Sequence, residues 1–332
     1  CIYDCEYCYL QGVYSSGNIV IFVEIEKVFD EVEELYKKLK SLYLCVSYDT
    51  DLLAIESICS FSEKWYYFIK DKKDLKIELR TKSGNIDKFL NLKPLDNFII
   101  AFTLSPENIA LRNEKYTASF KNRVNAIKEL QEKGWKVRIC IDPLIYSNNF
   151  EKNYSQMIEY LFNEIDKEKV IDISIGVFRI SKEYLKKMRN QNQNSEILYY
   201  PFECIDGVYT YSDKTKSYMI NFIKEQFLKY IDEKKIFIES LSSAFDLSIF
   251  SPLLIVLPDS EEVLSKNLYS NSHSFNQRLD ILVKVVNEIS DQYSQLSTDV
   301  RYFLLYYKML QEKIKFVESQ SHMVDGLSKS PY

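Results

Sequence analysis

The sequence predicts an α/β protein: a parallel sheet covered by helices, closed into a barrel or part of one, with a mainly helical C-terminal extension. Three observations predict it. Short apolar runs rich in β-branched and aromatic residues recur along the first half of the chain. Between them lie stretches with apolar residues at helical spacing. The runs are near-continuous rather than alternating, which is how strands covered on both faces read.

The elements follow in order. Residues 22–41 (FVEIEKVFDEVEELYKKLKS) repeat apolar positions at helical spacing with charge between them, and YLCVSY at 43–48 reads as a buried strand. A helix is expected within 52–70, a strand at LKIELRT (75–81), a short helix at NIDKFLNL and a strand at NFIIAFTL (97–104). Residues 118–134 form the next helix, with Gly134 as its C-cap. KVRICID (136–142) is a strand ended by Pro143, 152–166 is helical, VIDISIGVF (170–178) is a strand and 181–190 a helix. LYYPFECIDGVYTYS (198–212) reads as a hairpin turning at Asp206-Gly207. A helix at 213–232 and a short strand at KIFIES complete a domain of residues 1–240. In the extension, 241–332, SPLLIVLP reads as a strand and amphipathic helices are expected near 273–291 and 296–318. These helices pack on the barrel, on each other, or on a partner or second copy.

Composition narrows the function classes. The chain has 332 residues, is 46% hydrophobic and 27% charged, and carries a net charge of -5. A sizeable core is possible, and the acidic balance lends no support to a nucleic-acid binder with a basic face. No apolar run approaches the roughly 18 residues of a membrane span. No signal-peptide pattern opens the sequence, so a cytoplasmic, reducing location is expected. Seven cysteines in such a chain argue against a disulfide framework. Cys59, Cys140 and Cys204 read as small buried hydrophobes.

Cys1, Cys5 and Cys8 need another reading. Three thiolates within eight residues suit an iron–sulfur cluster. A structural zinc site wants a fourth ligand nearby, and His273 and His322 are remote in sequence. In parallel barrels chemistry sits at the C-terminal strand ends. Those ends nominate Ser47, Asp49, Asp51, Lys82, Thr103, Ser105 and Asp142. Against each stands a plain reading as a loop hydroxyl, a solvated lysine or a loop carboxylate.

The loop CIYDCEYC resembles the radical SAM motif, CxxxCxxC with an aromatic residue, Tyr7, before its last cysteine. CEYCYLQ (5–11) is similar to the spore photoproduct lyase family. So are CVSYDTDLLAIES (45–57), LRTKSGNID (79–87), AFTLSPE (101–107) and the helix at 118–134 aligned on Phe120 and Arg123. That helix has Ala118 and Ser119 where the family has Ser-Pro, and the segment after Cys45 is two residues longer. The resemblance implies a partial (β/α)6 TIM-like barrel of the radical SAM type. It implies a [4Fe–4S] cluster on Cys1, Cys5 and Cys8 whose open iron binds S-adenosylmethionine, and an external electron donor of flavodoxin or ferredoxin type. It places Tyr7, Lys82 and Ser47 or Ser105 near that cofactor and Cys45 as the donor returning hydrogen to a product radical. Tyr9 would pass hydrogen atoms along with Tyr7, and Asp142 could meet the adenosine ribose. It also implies a first strand before Cys1, with the tail SHMVDGLSKSPY as one conceivable lead-in to it.

The chain departs from the family in its hairpin, which has aromatic residues (Tyr199, Tyr200, Phe202, Tyr209, Tyr211) and no Arg or Lys. Three functions stay open. The first choice is a radical SAM enzyme that abstracts hydrogen from an unidentified substrate. The second is a lyase-type repair of thymine dimers in DNA. The third is a non-catalytic iron–sulfur or zinc protein.

Overall fold

The computed structural model describes residues 1–13, 19–21, 23–47, 50–205 and 207–238. They fold as six parallel strands curled into a half-barrel, beside a small antiparallel sheet. In chain order the elements are α1 (Leu10–Val13), α2 (Ile25–Leu39), β1 (Leu42–Cys45), α3 (Glu56–Cys59), α4 (Phe61–Ile69) and β2 (Leu75–Thr81). Then come α5 (Asp87–Leu90), β3 (Phe98–Thr103), α6 (Glu107–Asn113), α7 (Phe120–Glu132), β4 (Val137–Leu144), α8 (Phe150–Glu164) and β5 (Val170–Val177). The last are β6 (Arg179–Ser181), α9 (Lys182–Gln191), β7 (Glu203–Ile205), β8 (Val208–Thr210), α10 (Asp213–Leu228) and β9 (Ile236–Ile238).

The parallel sheet runs β1-β2-β3-β4-β5-β9. Among the described residues β1 is an edge strand. β6, β8 and β7 form the antiparallel sheet, so the expected hairpin gains a third strand from residues 179–181. The readings placed on 241–332 lie outside the described residues. No helix among those described is long and apolar enough to cross a membrane.

The sheet is stable for the reason its strands were legible. Leu42 and Leu44, Ile77 and Leu79, Phe98 and Ile100, Ile139 and Ile141, and Ile173 and Ile175 all face the covering helices and are buried. Each contributes about 1.5–3 kcal/mol relative to leaving it in water. Local signals set the helix ends. Ser119 caps α7 by accepting from the Asn122 amide at 3.2 Å, and Gly134 (φ +94°) turns the chain out of it. The helix expected within 52–70 is α4, and shorter turns precede it. Asp51 caps a 3-10 turn at Leu52–Ile55, and Ser60 adopts left-handed backbone (φ 48°) between α3 and α4. β4 does not end at Pro143 but continues to Leu144. Pro143, lacking an N–H, falls in the register shift between Ile141 and Leu144, where no ladder bond is required of it.

The other face of the strands is polar, which their continuous apolar reading did not anticipate. Arg138 forks onto Asp172 (2.5 and 2.8 Å) and also donates to Glu78 and to the Tyr43 hydroxyl (2.6 Å). Glu78 accepts from Arg80 Nε at 2.9 Å, and Arg80 reaches Asp142 at 3.0 Å. Burial pushes the Glu78 carboxyl up, but Arg80 and Arg138 outweigh it and hold it below its ordinary value of 4.5.

Glu78→Gln keeps the shape and removes the charge between two guanidiniums. Each arginine retains one carboxylate, so we expect a loss of about 2–4 kcal/mol at neutral pH. A depressed folded pKa gives stability that is complete above the unfolded value of 4.5 and is lost as the pH falls through the folded value. The gap between wild type and variant therefore narrows below pH 4.5. Urea titrations on either side of that pH measure it, and a gap that is constant or widens in acid contradicts the assignment.

Candidate active site

The three-cysteine loop is held by backbone before any side chain acts. Cys8 donates its amide to the Cys5 carbonyl at 3.0 Å, which closes the loop's second turn. Cys5 forms an antiparallel bridge to Glu114, Glu6 donates to the Asn113 carbonyl at 2.7 Å, and Tyr116 donates to the Tyr3 carbonyl at 3.2 Å. The loop thus lies along residues 113–118, the segment joining α6 to α7. Ala118 in turn donates to the Lys82 carbonyl at 3.2 Å, just past the end of β2. Cys1 is exposed, Cys8 half-buried and Cys5 buried.

One carboxylate organises this region. Glu114 is buried and accepts from the Tyr7 hydroxyl, from Ser105 Oγ at 2.8 Å and from the Arg123 guanidinium. Lys82 Nζ lies 3.6 Å from it, donates to the Tyr7 hydroxyl at 2.8 Å, and sits over the Tyr7 ring. Arg123 is fully buried and also donates to the carbonyls of Thr103 (2.9 Å) and Ala118 (2.9 Å). Burial pushes the Glu114 carboxyl up, but Lys82 and Arg123 outweigh it and pull it down to about 2. Burial likewise works against a charged Lys82, and Glu114 followed by Tyr7 and Cys5 reverses it, so Lys82 stays an ammonium. Burial, then Glu114, raises the Tyr7 phenol and keeps it neutral.

The sequence-predicted residues fall around this knot. Tyr7, Lys82 and Ser105 meet directly through Glu114. Thr103 is buried at the end of β3, its carbonyl taken by Arg123. Asp51 caps its 3-10 turn while accepting from Thr81 Oγ1 (2.8 Å) and the Lys82 amide (2.6 Å), so it braces the strand end that carries Lys82. Ser47 accepts from the Arg80 amide at 2.6 Å. Asp142 stands between Arg80 and Arg179, the latter at 3.6 Å, and a Cβ at Gly176 would come within 2.7 Å of its Oδ1. Cys45 is exposed at the C-terminal end of β1, opposite Glu78. Tyr9 is half-buried against the core. Asp49 lies outside the described residues. Of the cysteines read as buried, Cys140 is, Cys59 is half-buried, and Cys204 is exposed on the narrow strand β7.

Sequence reasoning missed Glu114, because one acid in the loop LRNEKYT reads as a solvated charge. Arg123 was visible as an alignment anchor, but its burial was not.

Among the described residues no three Cys, His, Asp or Glu side chains converge as a single metal ion needs. A four-iron cluster asks for something else, since each thiolate binds a different iron and the sulfurs stand apart. Three soft donors on one short loop match that demand. Burial raises Cys5 to about 11 and pushes Cys8 up as well, while the nearby Lys82 charge lowers both. Proton loss from these thiols is thus coupled to binding of a cation. Cys1, Cys5 and Cys8 would hold the cluster.

A curled parallel half-barrel with a three-cysteine loop at the C-terminal ends of its strands is the architecture of radical SAM proteins. The chain belongs to the spore photoproduct lyase family, whose model matches residues 1–237. It is 21% identical over 187 residues to a spore photoproduct lyase from a Geobacillus species; the match covers 54% of this chain and about half, 53%, of that relative. Solved structures share the fold. A spore photoproduct lyase variant with bound AdoMet and dinucleoside spore photoproduct superimposes with a TM-score of 0.64 at 16% identity, over 71% of this chain and 72% of that one. Another variant, with dinucleoside spore photoproduct, gives 0.65 at 15% identity over the same shares.

Glu114→Gln leaves two buried cations facing a neutral amide. We expect it to lower stability on the order of 3–5 kcal/mol. Lys128→Met, which breaks the surface pair with Glu164 (3.1 Å), should change stability by less than about 0.5 kcal/mol. Urea midpoints of the two variants compare them, and equal shifts would contradict the hub.

Proposed function

We propose that the chain is a radical SAM enzyme. The observation that carries this is the Lys82–Tyr7–Glu114–Ser105 knot, which seats the cysteine loop on the C-terminal ends of the sheet. When bound, the cluster and S-adenosylmethionine supply one-electron cleavage and hydrogen-atom abstraction. The protein positions and shields. Cys1, Cys5 and Cys8 hold the cluster. Lys82 offers a fixed positive charge to the cofactor's methionine carboxylate. Ser47, Asp51, Thr103, Ser105 and Asp142 shape the strand ends that receive it. Cys45, exposed at the C-terminal end of β1, would return a hydrogen atom, and Tyr9 and Tyr7 would pass hydrogen atoms along. The electron comes from an external donor of flavodoxin or ferredoxin type, in a cytoplasmic setting.

For the substrate, a nucleic-acid lesion of the kind named in the relatives' descriptions gains from one feature the sequence hid. The hairpin lacks Arg and Lys, but helix α9 supplies them. Arg189 stands over the rings of Tyr199 (5.2 Å) and Tyr209 (6.0 Å), and Lys182, Lys186 and Lys187 share its helix. A guanidinium beside the exposed ring of Tyr199 and the half-buried ring of Tyr209 suits a phosphate with a stacked base.

The test offers anaerobic, iron-loaded protein dithionite, S-adenosylmethionine and ultraviolet-irradiated spore-type DNA. We expect 5′-deoxyadenosine, reversal of thymine dimers, and for Cys45→Ala continued 5′-deoxyadenosine formation with little clean reversal. Zinc in place of iron on the purified chain sinks the enzyme reading. 5′-Deoxyadenosine without dimer reversal removes the lesion and keeps the enzyme class.

A further inference from the structure

The cysteine loop is gripped from a second side. Gln11, three residues past Cys8, donates its side-chain amide to the Cys5 carbonyl at 2.8 Å. That carbonyl also receives the Cys8 amide, so one oxygen is bonded by the backbone of one expected ligand and by the Gln11 side chain. The other end of the Gln11 amide accepts from Asn192 Nδ2 at 3.0 Å, just past the end of α9. The adjoining residue closes the contact. Gly12 lies so near α9 that a Cβ on it would come within 2.3 Å of Tyr184 Cβ and 2.6 Å of Tyr184 Cα. Its carbonyl accepts from Lys187 Nζ at 2.9 Å. The same helix holds the aromatic hairpin: Lys182 donates to the Gly207 carbonyl at 2.8 Å, and Arg189 donates to the Leu198 carbonyl at 2.7 Å.

We infer that Gln11 and Asn192 are positioning residues for the iron–sulfur cluster, fixing the Cys5-to-Cys8 turn against the helix that carries the substrate-side hairpin. Neither touches the reacting atoms. Gln11 acts through the Cys5 carbonyl, and Asn192 acts through Gln11. The neutral amide suits the task, because it donates at one end and accepts at the other. Glutamate at this position would still accept from Asn192 but could not donate to Cys5. Groups behind metal ligands set ligand orientation, and their loss weakens metal binding by about ten- to a hundredfold. The inference rests on the cluster reading of Cys1, Cys5 and Cys8.

The experiment reconstitutes the full chain and three variants, Gln11→Ala, Gln11→Glu and Asn192→Ala, anaerobically with iron and sulfide. It reads iron retained against a chelator, the electron paramagnetic resonance spectrum of the reduced cluster, and the melting temperature without iron. The expected result is about tenfold faster loss of iron for Gln11→Ala and for Gln11→Glu, which both lose the bond to Cys5, a smaller effect for Asn192→Ala, and a shifted or broadened spectrum in all three. Asn192→Ala also removes a capping bond at the end of α9, to the Met188 carbonyl at 3.2 Å, and is expected to melt slightly below the wild type, so the spectrum and not the melting temperature decides. Variants that keep iron at the wild-type rate with the wild-type spectrum overturn the inference, and so does a lowered melting temperature with an unchanged spectrum. A wild-type chain that takes up no iron overturns instead the cluster reading on which the inference rests.

Discussion

The carboxylate of Glu114 is the constraint on which the candidate site depends. It is buried, and burying a lone charge is prohibitive. It is tolerable here because Arg123, Lys82, Tyr7 and Ser105 all turn toward it. Each partner comes from a different part of the chain: the cysteine loop, the end of β2, the segment after β3 and the helix α7. Satisfying one charge therefore fixes four elements relative to one another. The backbone bridge from Cys5 to Glu114 ties the cysteine loop to this assembly a second time. Removing any one partner leaves the others short of a bond in a place water does not reach, so the knot is cooperative.

The half-barrel separates its two faces by chemistry. Toward the helices the strands are aliphatic and aromatic, and stability there comes from burial. On the other face the charges are paired: Glu78 with Arg80 on the same strand and with Arg138 across β3, Arg138 with Asp172 on the neighbouring strand, and Asp142 with Arg80 and Arg179. Such pairs contribute modestly to net stability, because desolvation offsets much of their attraction. What they supply is fixed position. Arg80, Ser47 and Asp142 hold one another in place, and so do Asp51, Thr81 and Lys82. The polar strand ends named as cofactor contacts are thus preorganised by their neighbours.

How much was legible follows from the range of each signal. β2 was read residue for residue, because its apolar run is bounded by local turn residues, and the three-cysteine motif is local as well. The 3-10 turn after Asp51 was not legible, since its cap bonds to Thr81 and Lys82 some thirty positions away. β6 escaped because three residues carry no period. Glu114 escaped because its meaning lies in partners such as Tyr7, 107 positions away. The basic complement to the hairpin escaped for a similar reason, as Arg189 belongs to a helix whose place beside the hairpin is set by the fold. Spacing announces local chemistry, whereas buried ion clusters and composite surfaces exist only once the chain has folded.

The central claim is that Glu114 pins the cysteine loop to the segment after α6. Native-state hydrogen exchange on wild type and Glu114→Gln tests it most directly, because protection reports local opening apart from global unfolding. The account predicts that protection falls furthest in residues 3–8 and 113–118, including the amides of Glu6, Cys8 and Tyr116, whereas β3 and β4 lose only what the lower global stability takes from the whole sheet. Unaltered protection in those two segments, or an equal loss across the whole sheet, would contradict it.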